Sequence, residues 1–158
     1  MNRSALLVIF GTGAHARKVF HCWRFGGGDV WTFADDAPHA ASPVPGIPVI
    51  AGSDLERHPP GNLFIGVGRA EARQRLMDRY QACGWQFPAI VHPRAYVAPD
   101  AVLEPGVLVA AGAVVESGSH LGRGVIVDVG VVIDHDCRIE AFSHLPPGHV
   151  SLPGTRWP

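Results

Sequence analysis

The chain has 158 residues, 47% of them hydrophobic and 17% charged, with a formal net charge of −1, a balance typical of a globular chain of one or two domains. Residues 1–90 carry 9 Lys+Arg against 7 Asp+Glu and the remainder 4 against 7, or +2 and −3. Neither half is a basic patch that would point to nucleic acid or an anionic membrane. No run approaches the roughly 20 apolar residues of a membrane span, and the opening apolar run ends at Gly11 before it reaches the length of a secretory core. Cys22, Cys83 and Cys137 lack CxxC spacing, which points to a reducing cytoplasm.

Leu6 to Phe10 reads as a buried parallel strand, followed by Gly11-Thr-Gly13-Ala-His15-Ala-Arg17 and a helical pattern through Val19, Phe20 and Trp23. Such a turn lets backbone approach a diphosphate at a helix N-terminus. By itself it is equally a tight turn, since the sixth place of the dinucleotide fingerprint is Ala16 and not Gly. Val30 to Phe33 predicts a second strand ending in Asp35-Asp36, where related folds place a carboxylate that reads ribose or base. A Pro-rich loop, a short strand over 47–50, a short helix from Ser53 and a strand over 63–67 follow. Gly66-Val-Gly68 then leads into a helix over 69–83 carrying Arg69, Arg73, Arg75 and Arg79, of which Arg75 and Arg79 read as a solvated face. Residues 1–88 are therefore expected to form a small Rossmann-like α/β unit. It is too short for the two halves of a complete dinucleotide domain, which argues against an NAD-dependent enzyme.

From Val91 the pattern changes. Ten consecutive hexads each begin with an aliphatic residue: Val91, Val97, Leu103, Val109, Val115, Leu121, Val127, Ile133, Ile139 and Leu145. The fourth place is mostly Gly, and the fifth is mostly small or β-branched. A fixed six-residue period is the signature of a β-helix, in which each hexad is one short strand and one turn, and an ordinary sandwich of uneven strands does not recur in phase.

Runs such as Val109-Ala-Ala-Gly-Ala-Val and Leu121-Gly-Arg-Gly-Val-Ile resemble the hexapeptide acyltransferases. That resemblance implies a left-handed β-helix with three hexads per coil. Val97, Val115 and Ile133 then share one face, Leu103, Leu121 and Ile139 the second, and Val91, Val109, Val127 and Leu145 the third. Adding Gly11-Thr-Gly-Ala-His15, Asp35-Asp36, Ile133-Asp-His135-Asp136-Cys137 and Phe142-Ser-His144, the chain from Leu6 to about Gly148 resembles the bacterial nucleotide-sugar N- and O-acetyltransferases, the sialic-acid O-acetyltransferase type among them.

The resemblance implies acetyl-CoA as cosubstrate, a nucleotide-linked sugar as acceptor, a homotrimer with active sites between prisms, and a role in surface glycan synthesis. Acyl transfer needs a base for the acceptor proton and a group to orient that base. His135 lies between two acids, and an imidazole with a carboxylate on one nitrogen presents the other as base. By resemblance His135 is the general base, Asp136 its orienting carboxylate, and His144 lies near the coenzyme A thioester. The nucleotide sugar would lie against Gly11, Gly13, His15, Asp35, Asp36, Gly68 and Arg73. His92 and His120 read as surface residues. No metal is expected, because His120, His135 and His144 fall on different corners and lack the spacing of the zinc-binding hexapeptide proteins.

The hexads are expected over residues 89–150, with 151–158 an irregular Pro-rich tail or cap. The family carries further hexads and a glycine nine residues after its second histidine, a place held here by Pro153, which has no N–H. Two readings follow: a proline cap on the coil stack, or a shortened, catalytically weak or inactive trimeric module that keeps the nucleotide-sugar site.

Overall fold

A computed structural model describes residues 6–37 and 40–158. Residues 1–5, and 38–39 in the expected Pro-rich loop, lie outside the described residues. The chain divides into two units, Met1–Pro88 and Ala89–Pro158.

In the first unit, the apolar strand β1 (Leu6–Phe10) is at most 4% exposed from Leu7 onward. It lies inside a parallel sheet, flanked by β2 (Asp29–Asp35) and β4 (Asn62–Ile65), with β3 (Val49–Ala51) beyond β2. A parallel strand with neighbours on both sides needs both faces covered, which explains its unbroken aliphatic run. The helix α1 (Ala14–Phe25) buries Ala16, Val19 and Cys22 at three-residue spacing. After the short α2 (Gly52–Leu55), α3 (Ala70–Ala82) buries Arg73, Met77 and Tyr80. From β1 the chain steps to β2 and then β3, and returns to β4 on the other side of β1. The loops after β1 and β4 therefore leave the sheet in opposite directions, which is where open α/β sheets bind ligands.

In the second unit the hexads form a left-handed parallel β-helix built of two-residue strands in three sheets. One sheet stacks β5 (Ile90–Val91), β8 (Leu108–Val109), β11 (Ile126–Val127) and β14 (His144–Leu145). The second stacks β6 (Tyr96–Val97), β9 (Val114–Val115), β12 (Val132–Ile133) and β15 (Val150–Ser151). The third stacks β7 (Val102–Leu103), β10 (His120–Leu121), β13 (Arg138–Ile139) and β16 (Arg156–Trp157). The first residue of each hexad points to the axis, where Val109, Val115, Leu121, Val127, Ile133 and Leu145 are fully buried.

The corners have their own chemistry. Gly106, Gly112, Gly118, Gly124, Gly130 and Gly148, all in the fourth place, have φ between 67° and 74°, a region open to Gly and expensive for other residues. Pro93, Pro99, Pro105, Pro147 and Pro153 occupy the third place. After Pro105, Pro147 and Pro153 the next residue is a positive-φ Gly, the preferred sequence of a type II turn.

This geometry corrects the expected irregular tail. The coil continues through Ser151 and Trp157, which take the place of the next two hexad heads and pair with Ile133 and Ile139. Ser151 is 2% exposed, and Gly154 has φ 69° in the same column as the earlier glycines. The sequence hid this because a buried serine breaks the aliphatic count. Pro153 is a corner residue like the other four prolines, rather than a cap that ends the stack.

Candidate active site

In the first unit the two loops at the switch point interlock through missing side chains. Gly11 has φ 107°, and a Cβ there would stand 2.9 Å from the Gly66 carbonyl oxygen. A Cβ on Gly66 would stand 2.7 Å from Ala16 Cα, and one on Gly68 would stand 2.7 Å from the His15 ring. The turn after β1, the first turn of α1 and the loop after β4 are thus packed backbone against backbone, and His15 rests on Gly68. Gly13 is the N-cap of α1 and makes no side-chain cap. It leaves the N–H groups of the first turn to an anion.

Asp35 ends β2 beside this turn. Its Oδ2 accepts from the Thr12 hydroxyl at 2.8 Å and its Oδ1 from the Ala37 N–H at 2.9 Å. Sequence reasoning missed Thr12, since its pairing spans 23 residues. A pocket of about 430 Å³ walled by Ala37, Ala40, Val49 and Ile50 opens beside Asp35.

Two expected substrate residues take other roles. Asp36 pairs with Arg79 at 3.0 Å, and Arg79 also holds Glu56 at 2.6 Å. Arg79 is therefore a strut between β2, α2 and α3, not part of a solvated face. Arg73 is 1% exposed, and its Nη1 donates to the carbonyls of Val67 and Gly68 at 2.9 and 2.8 Å. Burial lowers its pKa to about 10 against the opposing pull of Glu71, so it remains a cation at neutral pH beneath the loop that carries Gly68.

In the second unit His135 and Asp136 occupy the third and fourth places of one corner, after β12. His135 Nδ1 lies 2.8 Å from Asp136 Oδ2, and both side chains are exposed. The Asp136 hydrogen bond raises the His135 pKa, burial opposes it, and the charges of Asp134, Asp136 and Glu116 add to the rise. Asp136 stands in the glycine column with φ 60°, a strained setting for a residue with a side chain. A break in a glycine column was the available signal for this site.

His144 begins β14 and lies with Nε2 3.2 Å from Asp128 Oδ2. Asp128 is 3% exposed and also accepts the Val129 N–H at 2.7 Å. Periodicity held no signal for Asp128. His92, expected on the surface, is 7% exposed and accepts the Arg94 N–H. His120, likewise expected there, is half-buried and pairs with Glu104 at 2.7 Å. Among the described residues, no group of three His, Cys, Asp or Glu is placed to hold a metal ion.

A hexapeptide prism with a histidine–carboxylate pair at one corner, preceded by a Rossmann-like half, defines an acyltransferase of the hexapeptide-repeat class. The family model of the PglD N-terminal domain matches residues 6–80. A histidine-to-alanine variant of GDP-perosamine N-acetyltransferase from Caulobacter crescentus, in complex with CoA and GDP-perosamine, is 32% identical at TM-score 0.89, over 95% of this chain and 72% of that one. The acetyltransferase domain of PglB from Neisseria gonorrhoeae, in complex with acetyl coenzyme A, is 33% identical at TM-score 0.89, over 97% and 76%. WeeI from Acinetobacter baumannii, at 18% identity and TM-score 0.81 over 92% and 71%, shares the fold. No curated protein matches the chain. The chain belongs to the bacterial nucleotide-sugar acetyltransferases.

The Arg73 contacts generate one expectation. Arg73→Met removes the donor from two loop carbonyls and should lower the unfolding free energy by about 1–3 kcal/mol, seen as a lower urea midpoint. An unchanged midpoint would show that the loop holds itself.

Proposed function

We propose that the protein transfers the acetyl group of acetyl-CoA to a nucleotide-linked amino sugar in bacterial surface glycan synthesis. The observation that carries this reading is the His135–Asp136 pair at 2.8 Å on an exposed prism corner, in a chain similar to an N-acetyltransferase in complex with GDP-perosamine and CoA.

His135, with its Nδ1 proton held by Asp136, presents the Nε2 lone pair. That nitrogen takes the proton the acceptor amine sheds as its own lone pair closes on the thioester carbonyl carbon. Asp136 stabilises the imidazolium so formed, which returns the proton as the thiolate leaves. No covalent bond to the protein is formed. His144, oriented by Asp128, serves the coenzyme side.

In the first unit, the diphosphate would lie at the α1 N-terminus against Gly11, Gly13 and Gly68, with His15 beside the sugar and Asp35 facing ribose or base. Arg73 supports this site from below, and Asp36 is committed to Arg79. Among the described helices none is long and apolar enough to cross a membrane; we place the enzyme in the cytoplasm, where acetyl-CoA is made.

A homotrimer is part of this reading. On one prism face the outward column is Tyr96, Val114, Val132 and Val150, in ladder register, and its end residues are 51% and 57% exposed. An apolar column of this kind suits a second copy of the chain. Light scattering at micromolar concentration should give three chains per particle, and a monomeric mass would remove the shared site.

His135→Ala should lower turnover by about 10²- to 10⁴-fold. Calorimetric titrations of that variant with acetyl-CoA and with GDP-perosamine should still show binding. Unchanged turnover would remove His135 from the mechanism.

The pH dependence has a definite sign. The base must be neutral, and the raised His135 pKa keeps it protonated to higher pH than an ordinary imidazole. Activity is therefore lost as pH falls through that raised value, and the acidic limb of kcat/KM should lie above the ordinary imidazole range. Asp136→Asn removes the chief cause and should move the limb to lower pH; a limb that stays in place would assign it to another group.

A further inference from the structure

The corner that carries His135 is a stack of turns, one per coil: Pro99–Asp100, Ser117–Gly118, His135–Asp136 and Pro153–Gly154. At most corners the fourth-place N–H donates to a third-place carbonyl one coil below, as Asp136 N–H does to Ser117 O and Gly154 N–H to His135 O, both at 2.9 Å. Gly118 departs from this pattern. Its N–H goes to Asp100 Oδ2 at 3.2 Å, and the same oxygen accepts the Ser117 hydroxyl at 2.7 Å. The Ser117–Gly118 turn is thus clamped from below, and from above it holds the backbone of Asp136.

A Cβ built on Gly118 would collide with Asp136 Oδ1 and stand 3.4 Å from its Cγ. The other carboxylate oxygen, Oδ2, is the one on His135 Nδ1. We propose that Gly118 is a positioning residue for the catalytic pair, because the side chain it lacks is the space in which the Asp136 carboxylate stands while it holds the imidazole. The proposal rests on the reading of His135 as base, and it assigns Gly118 a task that its turn conformation alone would not require.

The prism supplies its own control. Gly130, in the same place of its hexad but at the corner after β11, has φ 67° against 71° at Gly118, and a Cβ on Gly130 would meet nothing within 4 Å. Alanine at either position meets the same backbone strain, and only Gly118→Ala also displaces a carboxylate. The charged groups around the imidazole are Asp136, Asp134 and Glu116, and only Asp136 lies over Gly118.

The test is an NMR titration of the His135 ring, without substrate, in the parent protein, Gly118→Ala and Gly130→Ala, with kcat measured alongside. Gly118→Ala should move the midpoint down toward the ordinary imidazole value and lower kcat roughly tenfold or more, while Gly130→Ala leaves both in place. Equal shifts in the two variants, or no shift in Gly118→Ala, would overturn the proposal.

If Gly118→Ala unfolds, the same substitution in an Asp136→Gly background decides instead. There the carboxylate is gone, so the loss of thermal midpoint should shrink to that of Gly130→Ala, and an undiminished loss overturns the idea. The two readings fail separately. Full turnover in His135→Ala removes the base, whereas a dead His135→Ala with an unmoved ring titration in Gly118→Ala removes only the role of Gly118.

Discussion

The left-handed backbone conformation at the fourth place of each hexad from Gly106 to Gly154 is the constraint on which the second unit depends. Two-residue strands are too short to hold themselves, and an isolated strand pair is marginal in water. The corner turns bring each strand back into register after 18 residues, as Val97, Val115, Ile133 and Ser151 show. Each coil then buries its first residue against the coil below and donates its N–H groups to the next. Gly at the corner keeps the cost of the turn low, and Pro before it removes freedom from the unfolded chain. The third place tolerates Pro because no ladder bond needs its N–H.

Where that rule is broken, something else stabilises the backbone. Among the described residues only Asp136 and Phe142 adopt positive φ without being Gly. Phe142 is 8% exposed and lies under the Arg123 guanidinium, 5.6 Å from its ring centre, so packing offsets its strain. Asp136 is exposed and gains no such burial. Its compensation is the hydrogen bond to His135 and the N–H held by Ser117, which is the pattern expected where strain serves chemistry. The same exposure keeps the imidazole in reach of solvent, while neighbouring acids favour its protonated form.

The first unit solves a different problem. On the proposed reading its switch-point loops must bring backbone close to a diphosphate without being left soft. Here the loops are braced by close glycine contacts, Gly11 on Gly66 and Gly66 on Ala16, and by a buried guanidinium that ties two carbonyls. The alanine in the sixth place of the turn is the surface on which Gly66 rests. In place of the glycine of the longer fingerprint, the close approach is supplied from the opposite loop.

The hexad period and the parallel α/β start were legible in the sequence, because each rests on local rules of turn chemistry and apolar runs, and the three faces followed from the family resemblance. His135–Asp136 was legible for the same reason, since its two members are adjacent in the chain. What the sequence by itself left open depends on contacts across coils or across the sheet. The pairing of Asp36 with Arg79, the support of His144 by Asp128 and the place of Ser151 in the ladder join residues 16 to 43 positions apart. Only the tertiary structure decides such pairs, because the polar side chains that can reach one another are set by the stacking of coils and strands, and a buried donor or carboxylate must find its partner there.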